Sequence, residues 1–165
     1  MGYLFRGFLT KSAPAAEAAA RRWPFCEAKR VENQMEGFIV RSPSEDDLHP
    51  TDGDDAYERV IEQFTEVSDG LESLSAEFPG EVFVYIEVRC FGGTCINTGL
   101  HMLDGRTVAS FEDGPDEADL TEILRPMGVS FGEDQYFEPF TRGYFERDRL
   151  QAWGRSGDAT EASAP

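Results

Sequence analysis

Apolar positions recur every three or four residues at Tyr57, Val60, Ile61, Phe64, Val67, Leu71, Leu74 and Phe78. That spacing lays one apolar stripe along a helix and predicts a core-packed amphipathic element over about residues 55–76. Asp52, Asp54 and Asp55 offer an N-cap and negative charge at the positive end of its dipole. Gly70 weakens its interior, and Pro79-Gly80 closes it. Residues 13–22 (APAAEAAARR) predict a second helix, stopped by Pro24. Gly114-Pro115-Asp116-Glu117 opens a third, whose buried face is Leu120, Ile123, Leu124 and Met127.

The rest of the apolar pattern is strand-like. Residues 3–9 (YLFRGFL) read as a strand, with Gly7 marking a bulge or a close neighbour. Residues 31–40, ending in GFIV, read as another, and EVFVYIEVRC (81–90) as a third. Residues 95–103 and 106–111 return as a meander around Asp104-Gly105, a strong type I′ hairpin signal. Register at the preceding Gly92-Gly93 turn has two solutions. A two-residue loop sets Cys90 against Cys95, but also Ile86 against Gly99 and Val84 against His101. A three-residue loop pairs Ile86 with Leu100 and Val84 with Met102, so apolar matching on one buried face favours it. Residues 131–150, with Phe131, Tyr136, Phe137, Phe140, Tyr144 and Phe145, predict a closing strand or two plus irregular structure.

Strand, helix, strand, long helix, three-stranded meander, helix and terminal strand predict an α+β fold. Its expected form is a two-layer sandwich, a mostly antiparallel sheet with helices packed on one face. One domain is expected over residues 1–153, followed by a disordered tail at 154–165 (GRSGDATEASAP).

Charge changes the functional picture more than any motif does. The chain has 15 basic and 32 acidic residues, a formal net charge of −17. Direct binding to a nucleic-acid backbone needs clustered Lys and Arg, so that class is excluded. Apolar runs reach only five or six residues, too few to span a membrane. Residues 1–20, broken by Arg6 and Lys11, make a poor secretory signal, and Arg6 stands where a myristoylation motif wants Ser or Thr. Three cysteines, Cys26, Cys90 and Cys95, are an odd and low count and imply a reducing compartment, the cytoplasm.

No catalytic constellation emerges, so no enzyme activity and no cofactor are expected. Cys90 and Cys95 with His101 lack the second ligand pair of a structural zinc site. In the favoured register the two cysteines point to opposite faces, which argues against a disulfide. A Cys95–His101 nucleophile lacks an orienting third group. Asp52-Gly53-Asp54-Asp55 resembles part of a calcium loop without the terminal bidentate Glu. No metal is expected. The polar hairpin positions Tyr85, Glu87, Arg89 and His101 are the only candidates for a small-ligand face.

The acids fall in two blocks: twelve with one base over 42–80, and nine with one base over 112–138. Glu58, Glu62 and Glu66 stand at i, i+4 and i+8, and Asp69 extends the row. Within the exposed loop 41–55 (RSPSEDDLHPTDGDD), residues 44–55 add Glu45, Asp46, Asp47, Asp52, Asp54 and Asp55 beside it. Such a ridge either keeps a face solvated or meets a basic partner, speeding encounter and setting specificity. Phe91 in the hairpin, Tyr136 and Phe137 are candidate aromatic anchors.

A small, strongly acidic α+β chain of this organisation, with its acidic helix row and its VFVYIEVRCFGGTC hairpin (82–95), resembles the immunity proteins of bacterial polymorphic-toxin systems. The resemblance implies an antitoxin that binds and inhibits a cognate basic toxin in the bacterial cytoplasm, with a monomer favoured. The alternatives are an acidic nucleic-acid mimic, which would occupy several DNA-binding proteins, and a small-ligand-binding protein or enzyme using the hairpin face.

Overall fold

The computed structural model describes residues 3–114, 117–130, 137–141 and 143–145. The elements run β1 (Tyr3–Thr10), α1 (Ala13–Arg22), β2 (Glu27–Val31), β3 (Gly37–Arg41), a 3-10 turn (Glu45–Asp47), α2 (Asp54–Glu77), β4 (Val82–Phe91), β5 (Thr94–Leu103), β6 (Arg106–Gly114), α3 (Glu117–Leu124) and 3-10 turns at Arg125–Met127 and Glu138–Phe140. The strands form one six-stranded sheet in the order β2-β3-β1-β4-β5-β6, antiparallel at every pairing. This is the expected α+β class.

Alternation along β1 and β4 feeds two cores. Phe5, Leu9, Val84, Ile86 and Val88 point to one side, where Ile123, Leu124, Met127, Phe137 and Phe140 cover them. Phe8, Phe83 and Tyr85 point to the other, against Ala15, Ala19, Trp23, Val67, Leu71 and Leu74. Helices α1 and α2 therefore share one face, as expected, while α3 and the aromatic turns after it cover the opposite one. The centre of the sheet is thus buried on both sides, adding a layer to the expected sandwich. Nearly continuous apolar runs such as VFVYI are what a strand buried on both faces requires.

Gly70 has a packing reason. A Cβ there would come within 2.7 Å of Trp23 Cζ2, so the missing side chain lets the indole seat against α2. The segment expected as one strand over 31–40 is two strands, with Gln34 in a left-handed conformation between them. Strand β2 (EAKRV) lies at a sheet edge, where charged side chains are tolerated and the apolar signal is weak. No strand forms among the described residues of 131–150: Phe137, Phe140, Tyr144 and Phe145 pack as an aromatic cluster, with Phe5 and Phe140 centroids 5.0 Å apart. Phe131, Tyr136 and the expected tail at 154–165 lie outside the described residues.

The β4–β5 register corrects the expectation from apolar matching. Gly92 and Gly93 have φ of 58° and 85°, as Asp104 and Gly105 have 53° and 75°. Both hairpins thus turn on two residues of type I′ geometry, which matches strand twist. Ile86 faces Gly99, Val84 faces His101 and Cys90 faces Cys95. Gly99 belongs opposite Ile86 because a Cβ there would lie 2.6 Å from Phe111 Cε1 and 3.2 Å from Ile86 Cδ1. The cysteines consequently share a face and form a disulfide. That bond removes the argument for a reducing compartment drawn from the cysteine count.

Among the described residues no helix is long and apolar enough to cross a membrane.

Candidate protein-binding surface

Arg6 organises the acidic loop before α2. Alternation aims it to the α2 side of β1, where it is 9% exposed. Its Nη1 donates to Glu45 Oε2 at 2.6 Å, and its Nε lies 3.3 Å from Glu87 Oε1. Its guanidinium stacks on Phe64 of α2, 3.7 Å from the ring centroid. Tyr85 donates its hydroxyl to the same Glu87 oxygen at 3.0 Å. Burial, and then the Glu87 charge, push the Tyr85 pKa well above its ordinary value, so the phenol remains a donor.

Arg41 at the end of β3 makes a second clasp. Its Nη2 reaches both carboxylate oxygens of Asp47, at 2.7 and 2.8 Å, and its Nη1 lies 3.4 Å from Glu27. The Asp47 carboxylate also accepts the Ser44 N–H at 2.8 Å. Asp46 accepts the Leu4 N–H at 2.7 Å, while the Ser42 N–H and hydroxyl both donate to the Arg6 carbonyl. The carboxylates of Glu45, Asp46 and Asp47 are therefore occupied within the chain, strapping the loop to β1 and β3.

The outer face of α2 is different. Asp54, Asp55, Glu58, Glu62, Glu66 and Asp69 are all exposed, and no ion pair engages them among the described residues. A rise of about 1.5 Å per residue spaces Glu58, Glu62 and Glu66 about 6 Å apart along the axis. Gly53 rather than an aspartate occupies the N-cap, leaving Asp54 and Asp55 in the first turn. Tyr57, expected in the core stripe, is 50% exposed because it precedes the first buried position, Val60.

Phe91 is 65% exposed beside the β4–β5 turn and, by alternation, points to the α2 side of the sheet. The register divides the polar set expected on one hairpin face. Tyr85, Glu87 and Arg89 point to the α2 side, and the first two belong to the Arg6 cluster. His101 sits across from Val84 on the α3 side. Burial lowers the His101 pKa, and its Nε2 is buried without a hydrogen-bond partner among the described residues. No group of three or more His, Cys, Asp or Glu among the described residues is placed to hold a metal ion.

Sequence reasoning missed the two clasps. The signal was an arginine inside the apolar run YLFRGFL, which commits a charge to a strand position that needs carboxylate partners. The partners themselves lie 39 and 81 residues away in the chain, beyond any local pattern. No protein family, curated protein or solved structure matches the chain.

Proposed function

We propose that the protein is a non-catalytic inhibitor, of the kind resembled by bacterial immunity proteins, that binds a basic toxin domain through the outer face of α2. The observation that carries this reading is the unneutralised row Asp54, Asp55, Glu58, Glu62, Glu66 and Asp69 on one exposed helix. Elsewhere in the chain Arg6 and Arg41 are committed to acids, but none is spent here. Phe91 projects on the same side of the sheet and is the exposed apolar anchor of this reading. Glu45, Asp46 and Asp47 hold the loop beside the ridge rather than contacting the partner.

Charge density favours one shaped partner over general nucleic-acid mimicry. Helix α2 carries eight acids and one base over 24 residues. That is roughly one net charge per 5 Å, against roughly one per 1.7 Å of duplex DNA. The proposed setting is the bacterial cytoplasm, where such an inhibitor guards the producing cell, and fractionation of the source cells checks it.

The test uses the tagged protein as bait in source-cell lysate at low and moderate salt. One retained basic partner, lost when Glu58, Glu62, Glu66 and Asp69 are reversed to Lys, is the expected result. Affinity and salt dependence unchanged by that reversal would remove the assigned face.

A further inference from the structure

We propose that Cys90–Cys95 is a thiol–disulfide exchange site open to a protein dithiol, with Cys95 Sγ as the attacked sulfur. This inference is independent of the inhibitor reading. The bond joins directly opposed residues one rung from the Gly92-Gly93 turn. Cys95 is exposed, whereas Cys90 is half-buried against the α3-side core. A thiolate arriving from solvent therefore meets Cys95, and Cys90 is the leaving group. Exposed disulfides are the labile ones, since access as well as thiolate character limits exchange.

The fold does not depend on the bond to hold this hairpin. The type I′ turn sets the register, eight further rungs continue it to Val82 and Leu103, and β1 pins the other edge of β4 from Tyr3 to Thr10. The crosslink spans five residues in sequence, where the constraint on the unfolded chain is weakest. The third cysteine stays out of the exchange. Cys26 packs against the core on the opposite side of the sheet, and burial, then the Glu66 charge, push its thiol up to about 12. The pair is thus an isolated two-electron couple.

On the other face of the same hairpin end, Phe91 and Ile96 are exposed at 65% and 39%. They lie across the strand plane from the disulfide, so approach to Cys95 Sγ from the α3 side does not pass over them. The dithiol's first thiolate attacks Cys95 Sγ, breaking the S–S bond, and Cys90 leaves as a thiolate that takes up a proton. The second dithiol sulfur then displaces Cys95 from the mixed disulfide. Two electrons and two protons pass to the pair, and the dithiol ends as a disulfide.

The oxidised full-length protein is incubated in native buffer with a CxxC dithiol protein, and free thiols are counted by alkylation and mass spectrometry. Two new thiols are expected, with Cys26 unlabelled and the far-ultraviolet circular dichroism unchanged. A CxxC protein whose resolving cysteine is Ser is expected to trap a mixed disulfide that peptide mapping places on Cys95. Reduction only after unfolding in urea, or trapping on Cys90, would overturn the exchange site.

Discussion

Two acidic regions lie next to each other in this chain and behave as opposites. In the loop before α2, Glu45, Asp46 and Asp47 each find a donor, from Arg6, the Leu4 N–H and Arg41. On the outer face of α2, six acids over sixteen residues find none among the described residues. The first region uses charge as a fastener; the second leaves it as a field. Net charge alone would treat them alike, yet only unpaired charge projects into solvent and steers a partner.

The largest effect expected from this contrast is on stability, at Arg6. Arg6→Ala leaves Glu45 and Glu87 without their cation in a mostly buried setting, at a cost of about 3 kcal/mol. Urea unfolding of the variant reads this directly, and a loss below about 1 kcal/mol, the range of an exposed pair, would mean the strap is ornamental. Next comes the fourfold reversal of Glu58, Glu62, Glu66 and Asp69 to Lys. Partner affinity is expected to fall about 100-fold, roughly 2.7 kcal/mol, measured by calorimetry at two salt concentrations. The same titration on Asp46→Asn should show affinity near the parent's, since that carboxylate faces its own backbone.

A smaller and opposite sign is expected from Glu62→Gln. Glu62 has a like charge four residues away on either side and one base, Arg59, three residues before it, so neutralising it relieves two repulsive pairs of about 0.2–0.5 kcal/mol each and gives up one attractive pair of similar size. The variant should unfold at slightly higher urea than the parent, and the gain should shrink in high salt. A loss instead would place Glu62 in a favourable contact and erase the distinction between the regions.

The smallest effect is read at Cys26, which lies between them. Burial is the main cause of its raised pKa; Glu66 of the bare face raises it further and Arg41 of the strap lowers it. The folded state therefore holds the thiol neutral. The contribution is fully present below an unfolded value near 9 and is lost as pH rises toward about 12. Glu66→Gln should bring the onset of Cys26 alkylation to lower pH, and Arg41→Ala should move it higher. Shifts in the same direction for both would show that the two regions do not act on it separately.

Much of this architecture was readable where one element decides its own shape. The stripe from Val60 to Leu74 set α2 within one or two residues, and Asp104-Gly105 announced its turn. Register at the preceding hairpin was misread because side chains were matched across two strands only. Phe111 from β6 and Ile123 from α3 fill the space beside Gly99, so a third strand and a helix decide that pairing. The acidic helix face was legible for the same local reason as the stripe, being its complement. The strap was not, because an acid in a loop looks solvated until an arginine from a distant strand is placed beside it.

The order of the sheet also carries a consequence for synthesis. Strand β1 is synthesised before the other five strands, yet it lies inside the sheet between β3 and β4. One of its edges is met early by β3, but the other waits for residues 82–91. At about 5–20 residues per second that interval is roughly 4–16 s. A nascent chain stalled before residue 82 would display an open, apolar edge of β1, the kind that recruits strands from neighbouring chains. Translation speed across α2, the longest segment made in that interval, thus becomes part of how the sheet avoids pairing with the wrong molecule.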